Sequence, residues 1–305
     1  MLKVVFLGTA GSLPTIIRNP SAFLINYDGE LLLFDCGEGT QKQMMKAKTG
    51  MQKLTSIFIS HLHADHILGL PGLLQTMAFQ GRTKPIMIYG PKGILDFIKN
   101  IEKLFTTKLK FKIITKQLIN NETVKKNNYC IKAILMNHGI ETFGYIFQEN
   151  EKPGKFNKEK AESLGIEKGP LYSKLHHGEK IKLNDGRVID PYKDGIVGKP
   201  RKGIKISYSG DTRENEYFME KAKNSNLLIH EATFSKNEKD LAYEWGHSTA
   251  SGVAILAKKY NIKILALVHI SQRFTDKIDI IMNEAKKEFD HTIIPNDLEY
   301  LEIKN

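Results

Sequence analysis

Residues 60–66 of the chain read SHLHADH and place four side chains that can bind a metal ion within six positions. Alternate side chains of an extended segment lie on the same face, so His61 and His63 can bind one ion together. Asp65 and His66 are adjacent and lie where a strand-like apolar run ends and a helical pattern begins. Their side chains must point in different directions, which suits binding of a second ion close to the first. Compact groups of imidazole and carboxylate ligands are typical of zinc sites. The segment therefore predicts a metal centre rather than a polar loop with idle histidines.

Two divalent ions held by imidazole and carboxylate ligands, with no thiolate, indicate a hydrolytic centre. The ions would share a water molecule, lower its pKa towards ~7 and bind the oxygens of a phosphoryl or acyl group. Asp65 lies beside both ions and is the expected general base as well as a ligand. A leaving oxygen also needs a proton donor that is not bound to metal. His247 is the candidate for that role, and we expect Glu231 to orient its imidazole.

The spacing of these residues resembles the HxHxDH signature of the metallo-β-lactamase superfamily. That resemblance implies three further ligands, namely a distant histidine, a bridging aspartate and a final histidine. His138, Asp211 and His269 each follow an apolar, strand-like run and fill these positions. Two zinc ions per chain are implied, although the ligand types also allow manganese or iron. The implied arrangement has Asp211 as the bridge, His61, His63 and His138 on one ion, and Asp65, His66 and His269 on the other.

Further motifs resemble the short form of the ribonuclease Z family, the tRNA 3′-processing endonucleases. Two of them matter most, because lactamases, lactonases and glyoxalases share the metal signature and lack this pair: HEAT at residues 230–233 and HST at residues 247–249. The resemblance extends from residue 1 to at least His269. Its other motifs are GTAGS at 8–12, PTIIRN at 14–19, DCGEGTQ at 35–41 and SGDT at 209–212.

The resemblance to this family implies a zinc-dependent endoribonuclease that cleaves the 3′ trailer from precursor tRNA. Hydroxide activated by the two metals would attack the phosphodiester and leave a 3′-hydroxyl on the tRNA. The family also implies a homodimer in which an arm of one subunit serves the active site of the other. Arg18 belongs to a family motif and is the expected contact with the RNA backbone near the site. Two other interpretations stay open: another hydrolase of the superfamily acting on a small phosphodiester or ester, and a non-catalytic RNA-binding protein.

The chain of 305 residues has a formal net charge of +11 and a pI near 9.3, which favours a polyanionic partner. From residue 148 to 205 apolar residues become rare, glycine and proline recur, and basic residues outnumber acidic ones. We expect a single domain spanning 1–305 with a basic insertion at 149–203, and this insertion resembles the tRNA-binding arm of the family. The tip is expected near Gly169-Pro170, and these two residues are candidate RNA contacts. The candidate phosphate contacts are Lys168, Lys174, Arg201 and Lys202.

Two cysteines, Cys36 and Cys130, make no disulfide framework, which favours the reducing cytoplasm as the location. The sequence contains no run of ~18 apolar residues, so it predicts no membrane span. The apolar stretch within the first seven residues is too short for a secretory signal. We therefore expect a cytoplasmic protein without membrane contact.

Strand-like apolar runs dominate each half of the chain, with helical patterns between them. This is consistent with the α/β fold that the resemblance implies, an αββα sandwich of two mixed sheets with outer helices and a protruding flexible arm. Helices are predicted at about 41–48, 67–77, 94–105, 249–260 and 278–289. Strands are predicted at 4–7, 23–26, 31–35, 54–59, 85–89, 111–115, 129–135, 143–147, 204–208, 227–229 and 264–268.

Overall fold

A computed structural model describes residues 2–105 and 109–304. Its strands are β1 Leu2–Gly8, β2 Ala10–Gly11, β3 Ala22–Tyr27, β4 Glu30–Phe34, β5 Leu54–Phe58, β6 Ile86–Gly90, β7 Ile113–Gln117, β8 Thr123–Lys125, β9 Tyr129–Leu135, β10 Phe143–Glu149, β11 Ile181–Lys182, β12 Val188–Ile189, β13 Lys205–Tyr208, β14 Leu227–Glu231, β15 Leu265–Val268, β16 Ile270–Ser271, β17 Thr292–Ile293 and β18 Tyr300–Ile303. Its α-helices are α1 Thr40–Lys46, α2 Ala64–Ile67, α3 Leu70–Phe79, α4 Ile94–Leu104, α5 Lys158–Ser163, α6 Pro170–His176, α7 Glu216–Ala222, α8 Lys239–Trp245, α9 Ala250–Lys259 and α10 Ile278–Glu288. No helix in these two ranges is long and apolar enough to span a membrane.

The larger of two compact units comprises the described residues up to Phe147 and from Lys205 to Lys304. It contains one seven-stranded sheet in the order β18-β1-β3-β4-β5-β6-β7 and another in the order β17-β15-β14-β13-β10-β9-β8. Strands β4 to β7 are parallel in the first sheet, as are β13, β14, β15 and β17 in the second. Parallel strands end at the same edge, and side chains that follow them can therefore converge.

Alternation along the strands divides the apolar side chains between two layers. In β4, Leu33 joins the outer core that includes residues of α1, α3 and α4. Phe34 faces the other way, and its ring centroid lies 5.9 Å from that of Tyr145 in the second sheet. Helices α7, α9 and α10 cover the outer face of the second sheet. The predicted αββα sandwich is confirmed.

Residues 148–204 form the second compact unit. Its apolar side chains build a small core of their own from Ala161, Ile166, Leu175, Ile181, Ile189, Ile196 and Val197. Helix α6 begins at Pro170, where the missing N–H of proline leaves no intrahelical bond unmade. The weakly patterned insertion thus contains two short helices and a β-hairpin, while the mobility of the arm stays a prediction.

Other differences from the predicted elements have local causes. The single helical pattern at 67–77 is divided at Gly69, whose backbone packs so tightly that an added Cβ would lie 2.0 Å from the Gly37 oxygen. Strand β7 begins two residues later than expected, at Ile113. Helix α7 and strands β8, β17 and β18 were not predicted, because each is short, from two to seven residues.

Candidate metal centre

The first group of ligand atoms follows strands β5, β9 and β13. His63 precedes α2 in an extended conformation, with φ −66° and ψ 147°, and its side chain lies beside that of His61. Nδ1 of His63 lies 3.0 Å from Nε2 of His61 and 3.4 Å from Nε2 of His138. Oδ2 of Asp211 lies 3.7 Å from Nε2 of His61. One ligand atom from each of these four residues lies within 4.8 Å of the others.

The second group is formed by Asp65, His66 and His269, which are also within 4.8 Å of one another. Oδ2 of Asp65 lies 3.4 Å from Nε2 of His66 and 3.2 Å from Nε2 of His269. Oδ2 of Asp211 lies 3.4 Å from the same atom of His66 and 3.2 Å from that of His269. Asp211 is thus within reach of both groups. The structure brings together all seven side chains that the sequence nominated as ligands.

Four histidines of the cluster have hydrogen-bond partners on the side away from the centre. His66 donates from Nδ1 to Asp35, and His138 donates from Nδ1 to the backbone oxygen of Gly246 at 2.8 Å. Each bond holds the proton on Nδ1 and leaves the lone pair of Nε2 for a metal. The same arrangement recurs for His61 Nδ1 with Ser60 Oγ at 2.9 Å and for His269 Nδ1 with Thr233 Oγ1 at 2.8 Å.

The centre fits divalent cations. Nε2 of His66 and Oδ1 of Asp211 are buried and have no hydrogen-bond partner, an arrangement that costs free energy unless an ion binds them. Ring nitrogens of His61 and His63 lie 3.0 Å apart, close enough for both to bind one ion. Nitrogen and oxygen ligands without thiolate suit zinc, manganese or iron.

Electrostatics within the centre favour positive charge between the carboxylates. Burial alone would raise the pKa of Asp211, but the neighbouring imidazoles of His269 and His66 hold that pKa well below its usual value. Burial would lower the pKa of His66, whereas the carboxylates of Asp211 and Asp35 raise it well above its usual value. Burial lowers the pKa of His61, so this ring is neutral, as a metal ligand must be.

His247 lies at the edge of the same cluster. Its Nδ1 is 2.9 Å from Oε1 of the fully buried Glu231, and its ring stacks on that of His269 with centroids 5.3 Å apart. Burial would lower the pKa of His247, but the charge and hydrogen bond of Glu231 raise it to about 9. A ligand atom of His247 also lies within 4.8 Å of those of Asp211 and His269, so geometry alone permits either a metal-binding or a proton-donating role.

Arg18 is held inside the protein, contrary to what a contact with RNA requires. Its guanidinium donates to Thr9 Oγ1 at 2.5 Å, to the Pro295 oxygen at 2.7 Å and to Asn296 Oδ1 at 3.2 Å. Only 7% of the residue is exposed. The geometry therefore gives Arg18 a structural role, joining the loop between β2 and β3 to the C-terminal segment. Its predicted contact with RNA stays a prediction that this burial disfavours.

The other candidate RNA contacts lie in the unit of residues 148–204. Lys168 and Gly169 are exposed immediately before α6, and Pro170 and Lys174 are exposed within it. Arg201 and Lys202 are exposed near the end of the unit. Exposure makes all of them available to a partner.

Sequence reasoning gave no role to Asp35, which follows β4. Its carboxylate accepts hydrogen bonds from Ser60 N at 2.6 Å, from Tyr208 Oη at 2.5 Å and from His66. Asp35 has a positive φ of 55°, which turns the chain sharply at the strand end. The available signal was an acidic residue directly after the apolar run 31–34, a position where a buried charge needs a partner. Gly246 and Arg213, which hold the loop beside His138, carried no such signal.

Known proteins resemble the chain over its whole length. A family model described as Anti-Pycsar protein Apyc1 matches residues 2–147. Ribonuclease Z of Methanosarcina acetivorans is 48% identical over 303 residues, covering 99% of this chain and 98% of its own. Ribonuclease Z of Archaeoglobus fulgidus is 42% identical, with coverages of 99% and 98%. The solved structure of human tRNase Z, short form, has a TM-score of 0.72 at 29% identity and covers 99% of this chain and 100% of that one. By full-length similarity at this level of identity, the chain belongs to the ribonuclease Z family.

Proposed function

We propose that the protein is an endoribonuclease that removes the 3′ trailer from precursor tRNA and leaves a 3′-hydroxyl on the tRNA. The observation that carries the proposal is the pair formed by His247 and Glu231, 2.9 Å apart beside a cluster of metal ligands. This pair comes from the HST and HEAT motifs, which distinguish the family from other metallo-β-lactamase-fold enzymes. Similarity to ribonuclease Z over 99% of the chain supports the same substrate.

Two zinc ions per chain are the proposed cofactors, with manganese and iron as alternatives. Metal ions of this kind polarise a phosphoryl oxygen and lower the pKa of bound water. The proposed ligands are His61, His63 and His138 for one ion and Asp65, His66 and His269 for the other, with Asp211 shared between them. The two groups of ligand atoms and the orphaned polar atoms of His66 and Asp211 support this assignment.

Asp65 is the proposed general base. Its Oδ2 accepts a hydrogen bond from the backbone N–H of Ser12 at 3.0 Å and lies against His66 and His269. Burial would raise the pKa of Asp65, but the neighbouring imidazoles of His269 and His66 hold that pKa below its usual value and keep the carboxylate ionised. An ionised carboxylate at this position can orient the attacking water and accept its proton.

His247 is the proposed proton donor to the leaving oxygen. When the bond between phosphorus and the 3′ oxygen of the tRNA breaks, that oxygen needs a proton to become the hydroxyl. Glu231 holds the imidazole by Nδ1 and leaves Nε2 to carry the proton. The Glu231 carboxylate is itself held by the N–H groups of Thr212 and Ser248, at 3.0 and 3.1 Å, so it is a rigid support.

The insertion at 149–203 is proposed to bind the tRNA away from the cleavage site, as part of one domain spanning 1–305. Lysines 168 and 174 are exposed at α6 together with Gly169 and Pro170, and folded RNA is bound chiefly through its phosphates and shape. Family membership supports a homodimer and a cytoplasmic location. Analytical ultracentrifugation tests the dimer.

A trailer-bearing tRNA transcript tests the proposed function. Incubation with the zinc-loaded protein should give a tRNA with a 3′-hydroxyl and a trailer with a 5′-phosphate, both mapped by sequencing of the new ends. Turnover of a small phosphodiester without any cleavage of the transcript would instead favour a small-substrate hydrolase. Equal cleavage by the wild type and by Asp65→Ala would remove the catalytic assignment and revive an RNA-binding role.

A further inference from the structure

An exposed tryptophan stands beside the proposed active site. Trp245 is the only tryptophan in the chain, ends α8 and is 65% exposed. The next residue, Gly246, accepts the hydrogen bond that orients His138, and the residue after that is His247. Indole rings contribute most to stability or binding when their large apolar surface is buried. An exposed ring at this position is therefore a candidate contact for a ligand.

The turn that carries Trp245 is held rigidly against the metal centre. Arg213 donates from Nε to the Tyr243 oxygen at 2.7 Å and from Nη1 to Asn137 Oδ1 at 3.1 Å. Its guanidinium also lies 4.9 Å from the centroid of the Tyr243 ring. Gly246 has a φ of 79°, and a Cβ there would lie 2.9 Å from Nδ1 of His138. Trp245 is therefore exposed without being loosely attached, which lowers the entropic cost of stacking on it.

The charge beside the turn suits a nucleic acid. Arg213 bonds to two backbone carbonyls, of Tyr243 and Glu244, and to the amide of Asn137, all of which are neutral acceptors. Its positive charge is thus available to attract a phosphate. Tyr243 is two positions from Trp245 on the helix, so the two rings do not share a face, and the ring that lies against Arg213 is that of Tyr243.

We propose that Trp245 stacks on an unpaired base next to the scissile phosphate, with Arg213 as the positioning residue that fixes the turn. This inference rests on the proposed function, because it takes the 3′ end of a tRNA as the ligand. Single-stranded RNA is commonly bound by stacking its bases on aromatic side chains, and every base offers a face to stack. A rim position adjoining His138 and His247 places such a base beside the reacting bond.

Trp245 is the only tryptophan in the sequence, so the tryptophan fluorescence of the protein reports on this residue alone. Stopped-flow mixing of the zinc-loaded protein with trailer-bearing tRNA should quench tryptophan fluorescence before turnover. Trp245→Ala should raise KM for this RNA about tenfold, in line with the free energy of one base–aromatic stack, while Trp245→Phe keeps most of the affinity. Phe79→Ala removes an aromatic side chain that is 74% exposed on α3 and should leave KM unchanged.

Abasic substrates identify the stacked base. One RNA lacks the last base of the tRNA body, a second lacks the first base of the trailer, and a control lacks a base further along the trailer. The effect of Trp245→Ala should disappear on one of the first two RNAs and persist on the control. Absence of quenching together with an unchanged KM for Trp245→Ala overturns the proposal, as does an effect that persists on all three RNAs. Failure of the wild type to cleave any of them refutes the proposed function instead.

Discussion

Nδ1 of His66 lies 2.7 Å from Oδ2 of Asp35, and both side chains are completely buried. The same carboxylate accepts hydrogen bonds from Ser60 in the loop between β5 and α2, and from Tyr208 at the end of β13. Asp35 therefore connects the layer between the two sheets to a proposed metal ligand. A buried carboxylate with several donors is stable in place, so the orientation it gives to the imidazole is well defined.

Replacing Asp35 by asparagine should weaken metal binding by about 10- to 100-fold, because the amide holds the His66 imidazole less firmly and lacks the negative charge that polarises it. Competition with a chromophoric chelator measures the affinity. Asp276→Asn, at an exposed aspartate, is the matched control. Unchanged affinity in a folded Asp35→Asn protein would show that the contact is structural only.

His247→Ala should lower kcat for trailer cleavage by about 10²–10⁴-fold, the range expected for loss of a general acid. Metal content measured by elemental analysis should stay at the wild-type value, and His291→Ala, at an exposed histidine, should behave as wild type in both assays. Loss of one metal equivalent from His247→Ala would make this residue a ligand rather than the proton donor.

Deletion of residues 149–203 should raise KM for precursor tRNA and spare hydrolysis of a small phosphodiester such as bis(p-nitrophenyl) phosphate. The deletion is feasible because Glu149 N lies 2.9 Å from the Ile204 oxygen, so a short turn can close the gap. Lys168→Glu with Lys174→Glu tests the charge while keeping the small core of the unit. Precursor-tRNA kinetics that match the wild type in both variants would remove the insertion from substrate binding.

Removal of metal should lower the melting temperature. Without a cation, the buried carboxylates repel one another and the imidazole nitrogens that face the centre lose their partner. A ligand at one hundred times its Kd stabilises the folded state by about 2.7 kcal/mol. For a chain of 305 residues the expected shift is about 4 °C. Differential scanning fluorimetry with EDTA, then with added Zn²⁺ or Mg²⁺, should show recovery with zinc alone. A melting temperature indifferent to all three additions contradicts a metal-bound native state.

Arg18→Ala should lower the free energy of unfolding by about 2 kcal/mol, since it leaves the buried acceptors of Thr9, Pro295 and Asn296 without their donor. Urea unfolding measures the loss, and affinity for precursor tRNA should change little at a temperature where the variant is folded. The opposite pattern, with intact stability and weakened RNA binding, would restore the contact between Arg18 and the RNA backbone.

Much of the centre was predictable because its information is local. His61, His63, Asp65 and His66 lie in one short segment, and the alternation of an extended chain already places the first two on the same side. Apolar runs likewise predicted most strands of both sheets, since each run reports how its own residues are buried. His138, Asp211 and His269 were found through family resemblance, because nothing in their immediate neighbours points to a shared ion.

The remaining relationships depend on strand order and packing, which join residues that are distant in the chain. Asp35 and His66 are 31 positions apart and meet because β4 and β5 are parallel neighbours. Arg18 carries a charge, and the sequence alone therefore predicts a surface position for it. In the structure its guanidinium is buried and donates to the carbonyl of Pro295, which is 277 positions away in the chain. The sequence by itself determined which chemistry the chain can perform, since that depends on residue types at short spacing. Tertiary structure alone decided which groups hold the ligands in place, since a hydrogen bond needs two atoms within about 3 Å and local spacing does not specify which distant segments meet.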